Sequence, residues 1–290
     1  MLRFLVLLGF SFVFLQLHAT GNISKYINMK YSYISFLTIF LLFFLTIMQL
    51  YFYWKEGSEK EKEKEQGSSC SPVDDCGCGH DHSHERKGWK YWIAFPILIF
   101  PVLTYLFLPI ATLDSNIVKA KGYHFDVYND GDPYSQHQFL EPDTSTYYGS
   151  EGYYERMNKY LKKYASKDTV KLTDANYLEA METIYKNPGD FMGKTIQFHG
   201  FAFNDKELKK NQLFVFRFGI IHCVADSGVF GMLVEFPDDM DIKDDEWIQV
   251  KGTMTNEYFQ PYKKTIPVLK VTHWEKISKP DDPYVYNNYK

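Results

Sequence analysis

This chain is short of the signals that announce an enzyme. Its 290 residues contain no C-x-x-C, no G-x-S-x-G and no H-E-x-x-H, which removes the thioredoxin-like, hydrolase and zincin signatures and points away from catalysis. It has no basic excess either. The net charge is −4, residues 120–290 hold 26 acidic against 21 basic side chains, and no basic stripe interleaved with aromatics occurs. A nucleic-acid partner is therefore not expected. Its longest apolar runs have no Asp, Glu, Lys, Arg or His in their middles. Ion pathways need such groups facing a cavity, so these runs read as an anchor and docking surface.

What is present begins with three such runs: Leu2–Leu17, Ile34–Trp54 and Tyr91–Leu113. A span needs about 20 apolar residues, which the second and third supply, with Tyr51, Tyr53, Trp54, Trp89, Tyr91 and Trp92 clustered at their ends as interface anchors. The first run is shorter. It reads as a tilted span, with a cleaved signal peptide as the alternative. Three spans put Arg3, Lys55, Lys60, Lys62, Lys64, Arg86, Lys87 and Lys90 on one side and Lys25, Lys30, Lys119 and Lys121 on the other. The richer side is expected to be cytoplasmic.

Between the second and third runs lies "CGCGHDHSH" on a tether that also carries "EKEKEKE". Cys70, Cys76, Cys78, His80, His82 and His84 offer enough sulfur and imidazole for tetrahedral Zn²⁺, although the spacing is not that of a zinc finger. Cys/His-rich tracts bind metal as a compositional expectation. The alternative is an inert, solvated linker. A cytoplasmic position keeps the thiols reduced.

After Leu113 the pattern changes. "SEGYYERMNKYLKKYASK" places Tyr153, Met157, Tyr160, Leu161 and Tyr164 on one helical face. A second helix follows in "TDANYLEAMETIYKNPG", with Thr173 or Asp174 as its cap. From there the period becomes two, with strands expected at 195–203, 214–223, 231–236, 246–255 and 265–277. Five short strands suit an OB-like barrel. A cluster of His222, Cys223 and Asp226 closes the second of these strands. Neighbouring strand residues point to opposite faces, so the cluster is either a small second metal site that needs a bend or ordinary packing.

The predicted fold is thus a membrane-anchored α+β chain. Two transmembrane helices fall in 1–54 (about 2–17 and 34–54), a cytoplasmic tether in 55–90 and a third transmembrane helix in 91–113. An extracytoplasmic spacer with an amphipathic helix covers 114–170, and an OB-like β domain covers 171–290.

The segments "GFAFND", "FRFGIIHCVADSGVFGMLVEF", "EWIQVKGT" and "PDDPYVYN" resemble the permease-subunit family of bacterial membrane proteins (YcgQ-like). The N-terminal "MLRFLVLLGFSFVFLQLHATGNISKYI" fits too. The resemblance covers nearly the whole chain and is most specific from Asp190 to Tyr286. It implies a partner, a larger polytopic permease-like protein in the same bilayer. It also implies a Cys-Cys-x-Ala-Asp pattern where this chain has His222-Cys223-Val224-Ala225-Asp226. Loss of the first cysteine removes a dithiol and leaves a metal or packing role. The expected function is an accessory, non-pore subunit of a bacterial membrane permease complex, itself multi-pass in the cell membrane and linked to the handling of zinc or another metal. The alternatives are a stand-alone membrane metal sensor or buffer and, behind it, a membrane-anchored thiol-redox protein.

Overall fold

The computed structural model describes residues 2–66, 89–110, 112–121, 150–260 and 264–286. They form two compact units: Met1–Ile23 with Tyr31–Ala111, and Ser24–Lys30 with Thr112–Lys290.

The first unit holds three helices, α1 (Leu2–Ala19), α2 (Ser32–Gln66) and α3 (Trp89–Phe107). Two threonines on α2 are answered within the helix. The hydroxyls of Thr38 and Thr46 donate to the carbonyls of Ile34 and Leu42, 2.9 and 2.7 Å away, so neither presents an unmet donor to an apolar surrounding. His18 Nε2 lies 2.9 Å from Ser35 Oγ. A Cβ on Gly9 would come 3.2 Å from Val102 Cγ1, so a small residue lets α1 and α3 approach closely.

The expectation of three spans is corrected here. Among the described residues one helix, Met29–Lys55, is long and apolar enough to cross a membrane; Arg3–Ala19 and Ile93–Phe107 are shorter. At 1.5 Å per residue these two reach about 25 and 22 Å, short of a hydrocarbon core of about 30 Å. The apolar letters of the third run continue to Leu113, but its helix stops at Phe107. Pro109 disfavours helical backbone at the residue before it.

The second unit contains α4 (Ser115–Lys121), α5 (Ser150–Ala165), β1 (Thr169–Lys171), α6 (Tyr177–Lys186), β2 (Thr195–Phe203), β3 (Gln212–Ile220), β4 (Gly228–Glu235), β5 (Trp247–Phe259), β6 (Lys264–Lys276) and β7 (Tyr284–Tyr286). The sheet order is β1-β2-β5-β6-β4-β3-β7, and β2 also pairs with β3. That pairing closes β2, β5, β6, β4 and β3 into the expected five-stranded barrel, with Greek-key connections of the OB type. β4 and β6 run parallel, and β5 and β6 form a long antiparallel hairpin. β1 and β7, which the sequence pattern did not reveal, add parallel to β2 and β3.

All nine residues of β3 are buried. Phe214 and Phe216 stack at 5.1 Å and Phe201 and Phe218 at 5.4 Å. Helix α6 is fastened to β4, where Tyr177 Oη donates to the Phe230 carbonyl at 3.3 Å and Tyr185 Oη to the Gly231 carbonyl at 2.6 Å. Gly231 is required at its position, since a Cβ there would sit 1.9 Å from the Val215 carbonyl oxygen.

Helix α6 is not capped as expected. Its N-cap is Asn176, with no side-chain cap bond. Asn176 Oδ1 instead accepts from the Thr173 amide and hydroxyl at 2.6 and 3.0 Å. Asp174 is left for another role.

Candidate functional site

That role is to meet Arg217. Arg217 sits in the middle of β3 and is fully buried. A buried guanidinium needs compensating charge and acceptors for its fixed fork of donors. Asp174, from the turn before α6, takes a short charge-assisted bond from Nη1. His199 of β2 places Nε2 2.8 Å from the same Nη1. On the other side Nη2 donates to the Tyr284 carbonyl at 3.1 Å and to the Asp282 carbonyl at 3.5 Å, and Nε to the Pro283 carbonyl at 3.4 Å. The guanidinium also lies 5.4 Å from the Trp247 ring and 5.6 Å from the Tyr177 ring, both within cation–π range.

The geometry sets the protonation states. Burial pushes His199 below its usual value and the Arg217 charge adds to this, against the opposing pull of Asp174. Neutral Nε2 can then accept from Arg217, with the ring proton on Nδ1. Burial raises the Asp174 carboxyl, but its bond to Arg217 and the charges of Arg217 and His199 outweigh burial and hold it below the ordinary range. An unfolded histidine titrates near 6.5. Below that value the unfolded chain binds more protons than the folded one. The stability contributed by neutral His199 is therefore complete above about pH 6.5 and lost as pH falls through its lower folded value. The expected result is a melting temperature that falls between pH 7 and pH 5, by roughly 2–4 °C for each kcal/mol lost. His199→Gln should flatten the decline, and an equal slope in the variant would count against this assignment.

Beside this cluster is a pocket of ≈ 220 Å³ floored by Phe201, Phe218, Trp247 and Pro283. Its carboxylates are already engaged. Asp114 accepts from the Asn116 amide at 3.0 Å, and Asp245 accepts from the Ser115 amide at 2.8 Å and hydroxyl at 2.6 Å. Asp245 holds φ 66°, the left-handed region.

The sequence-derived cluster at the end of β3 is drawn together around one carboxylate. Asp226 Oδ2 lies 2.8 Å from His222 Nδ1, and the Asp226 carboxylate accepts the amides of His222 at 3.0 Å and Cys223 at 3.0 Å. This is the pattern of a side chain closing its own tight turn. Cys223 is a half-buried free thiol. Among the described residues, no group of three or more His, Cys, Asp or Glu side chains is arranged to hold a metal ion. The six tether ligands, Cys70, Cys76, Cys78, His80, His82 and His84, lie outside the described residues.

A strap crosses the same turn. Residues Ser24–Lys30, between α1 and α2, belong to the barrel unit. Ile27 bridges Cys223 in antiparallel fashion. The Asn28 amide donates to the His222 carbonyl at 2.9 Å, the Val224 amide to the Tyr26 carbonyl at 2.8 Å, and Asn28 Nδ2 to the Ile221 carbonyl at 3.0 Å.

Sequence reasoning missed Arg217, Asp174 and His199. The available signal was one charged residue in the middle of the apolar strand "LFVFRFG". A charge inside a fully enclosed strand must have a built partner.

An apolar helical unit followed by a Greek-key barrel with a buried arginine defines a two-unit protein with one helix long and apolar enough to cross a membrane. The chain belongs to the DUF1980 family: residues 2–124 match the DUF1980 N-terminal domain and residues 147–287 the DUF1980 C-terminal domain. It is 56% identical over 289 residues to the UPF0703 protein YcgQ of Bacillus subtilis (strain 168), covering 100% of both chains. It is 36% identical over 295 residues to a protein of Streptococcus mutans serotype c named as a candidate two-component membrane permease complex subunit, covering 99% of each. No solved structure matches the chain.

Proposed function

We propose that this chain is an accessory, non-catalytic subunit of a membrane permease complex, anchored by its apolar helices and assembled with a polytopic partner. The name of the S. mutans relative, matched over 99% of both chains, is the observation that carries this reading.

The proposed topology has the barrel and the α1–α2 loop outside and the tether inside. Its support is connectivity. Ser24–Lys30 and Thr112–Lys290 belong to one compact unit. If α2 crosses the membrane away from that unit, α3 must bring the chain back. The Trp89–Phe107 helix, 19 residues long, does so with local bilayer thinning. Zinc handling by the tether, and any metal role for His222, Cys223 and Asp226, rests on residue types and spacing alone, and the assembly reading does not require it.

Affinity purification of the full chain from gently solubilised membranes tests the reading. The expected result is near-stoichiometric recovery of one polytopic membrane protein. Recovery of the chain alone, at wild-type expression of all membrane proteins, would sink it.

A further inference from the structure

Two of the three places where the chain passes between the barrel unit and the apolar helices are fastened to one three-residue strand. Tyr284 Oη accepts from the Leu113 amide at 2.8 Å, just past the end of α3. Tyr286 Oη lies 2.9 Å from the Ser24 carbonyl, a few residues past the end of α1, and shares its proton between that oxygen and the Asp282 carboxylate at 2.8 Å. Tyr284 and Tyr286 stand two apart, so they project from the same face of β7. The strand itself is held by β3, with Phe218 opposite Tyr284 and Ile220 opposite Tyr286. Its approach is gripped by Arg217 through the carbonyls of Asp282, Pro283 and Tyr284.

We propose that β7 is a coupling strut: it links the Asp174–His199–Arg217 cluster to the two linkers that follow α1 and α3. Asp174 is the cluster's solvent-facing member, with its side chain 65% exposed, whereas that of Arg217 is 0% exposed. A partner group or ligand that takes the Asp174 carboxylate leaves a buried cation short of its counter-charge. Such a cation seeks other acceptors or water. Movement of Arg217 releases the carbonyls of residues 282–284, and with them the seat of Tyr284 and Tyr286. The strap over Cys223 then loses its outer fastening at Ser24.

Cys223 reports on the strap directly, because it is bridged by Ile27. The experiment uses the full chain in detergent with Cys70, Cys76 and Cys78 replaced by serine, and follows alkylation of Cys223 by a maleimide. Tyr286→Phe should raise the rate at least threefold by freeing the strap. Asp174→Asn should do the same through Arg217. In the double variant the two increases should fail to multiply, since both act on one strut. An unchanged rate in Asp174→Asn overturns the proposal, as do two increases that multiply independently. If Asp174→Asn labels at the urea-denatured rate, Asp174→Glu decides: it keeps the counter-charge, so a rate near wild type supports the proposal and a rate raised as far as in Asp174→Asn overturns it. The readout needs no partner protein, so failure here is distinguishable from failure of the permease assignment.

Discussion

Replacing Arg217 by alanine is expected to destabilise the barrel unit by about 3–5 kcal/mol, the range for breaking a buried charged network. The loss has several sources. Alanine leaves a cavity beside Trp247 and Tyr177, whose rings the guanidinium contacts. The carbonyls of Asp282, Pro283 and Tyr284 lose a cationic donor, and each buried acceptor left unmet costs about 1–3 kcal/mol. Asp174 adds little, because its side chain is 65% exposed and water replaces the partner. Arg217→Lys should recover only part of the loss, since one ammonium cannot reach acceptors on both sides of the fork. Urea unfolding of the full chain in detergent measures this. A loss below about 1 kcal/mol for the alanine variant would show that the network is not holding the C-terminal segment.

The parts legible in the sequence were those that repeat locally. Period-2 runs located all five barrel strands within a few residues, and the tyrosine face of "YYERMNKYLKKY" located α5. What stayed hidden has no local period. β1 and β7 are three residues each, too short for alternation to register. The strap joins Asn28 to Ile221 across 193 positions, and a pairing at that separation leaves no mark on its neighbours. Asp174 read as a helix cap because an acid before an apolar run has that meaning. The pull of a buried guanidinium on another strand overrode the local preference. Counting apolar letters also overstated the spans, because Pro109 ends the helix inside the third run.

Labelling should divide the chain sharply between the two sides of the membrane. Take a chain with Cys223 replaced by serine. In intact cells an impermeant maleimide should leave Cys70, Cys76 and Cys78 unmodified, and label a cysteine introduced at exposed Lys162 on α5 to near completion. Two independent arguments meet here. The excess of Lys and Arg at the N-terminus and in the tether favours the cytoplasmic side for both. Separately, the bonds of Tyr26 and Asn28 to residues 222 and 224 hold the α1–α2 loop in the barrel unit, so a crossing by Met29–Lys55 would put the tether on the side opposite the barrel. Reversing the orientation would put the barrel in the cytoplasm and carry the tether's basic side chains across the bilayer. Labelling of the tether with Lys162→Cys silent would establish that reversal. Labelling of both would mean that α2 lies along the surface, and the anchor would then be peripheral.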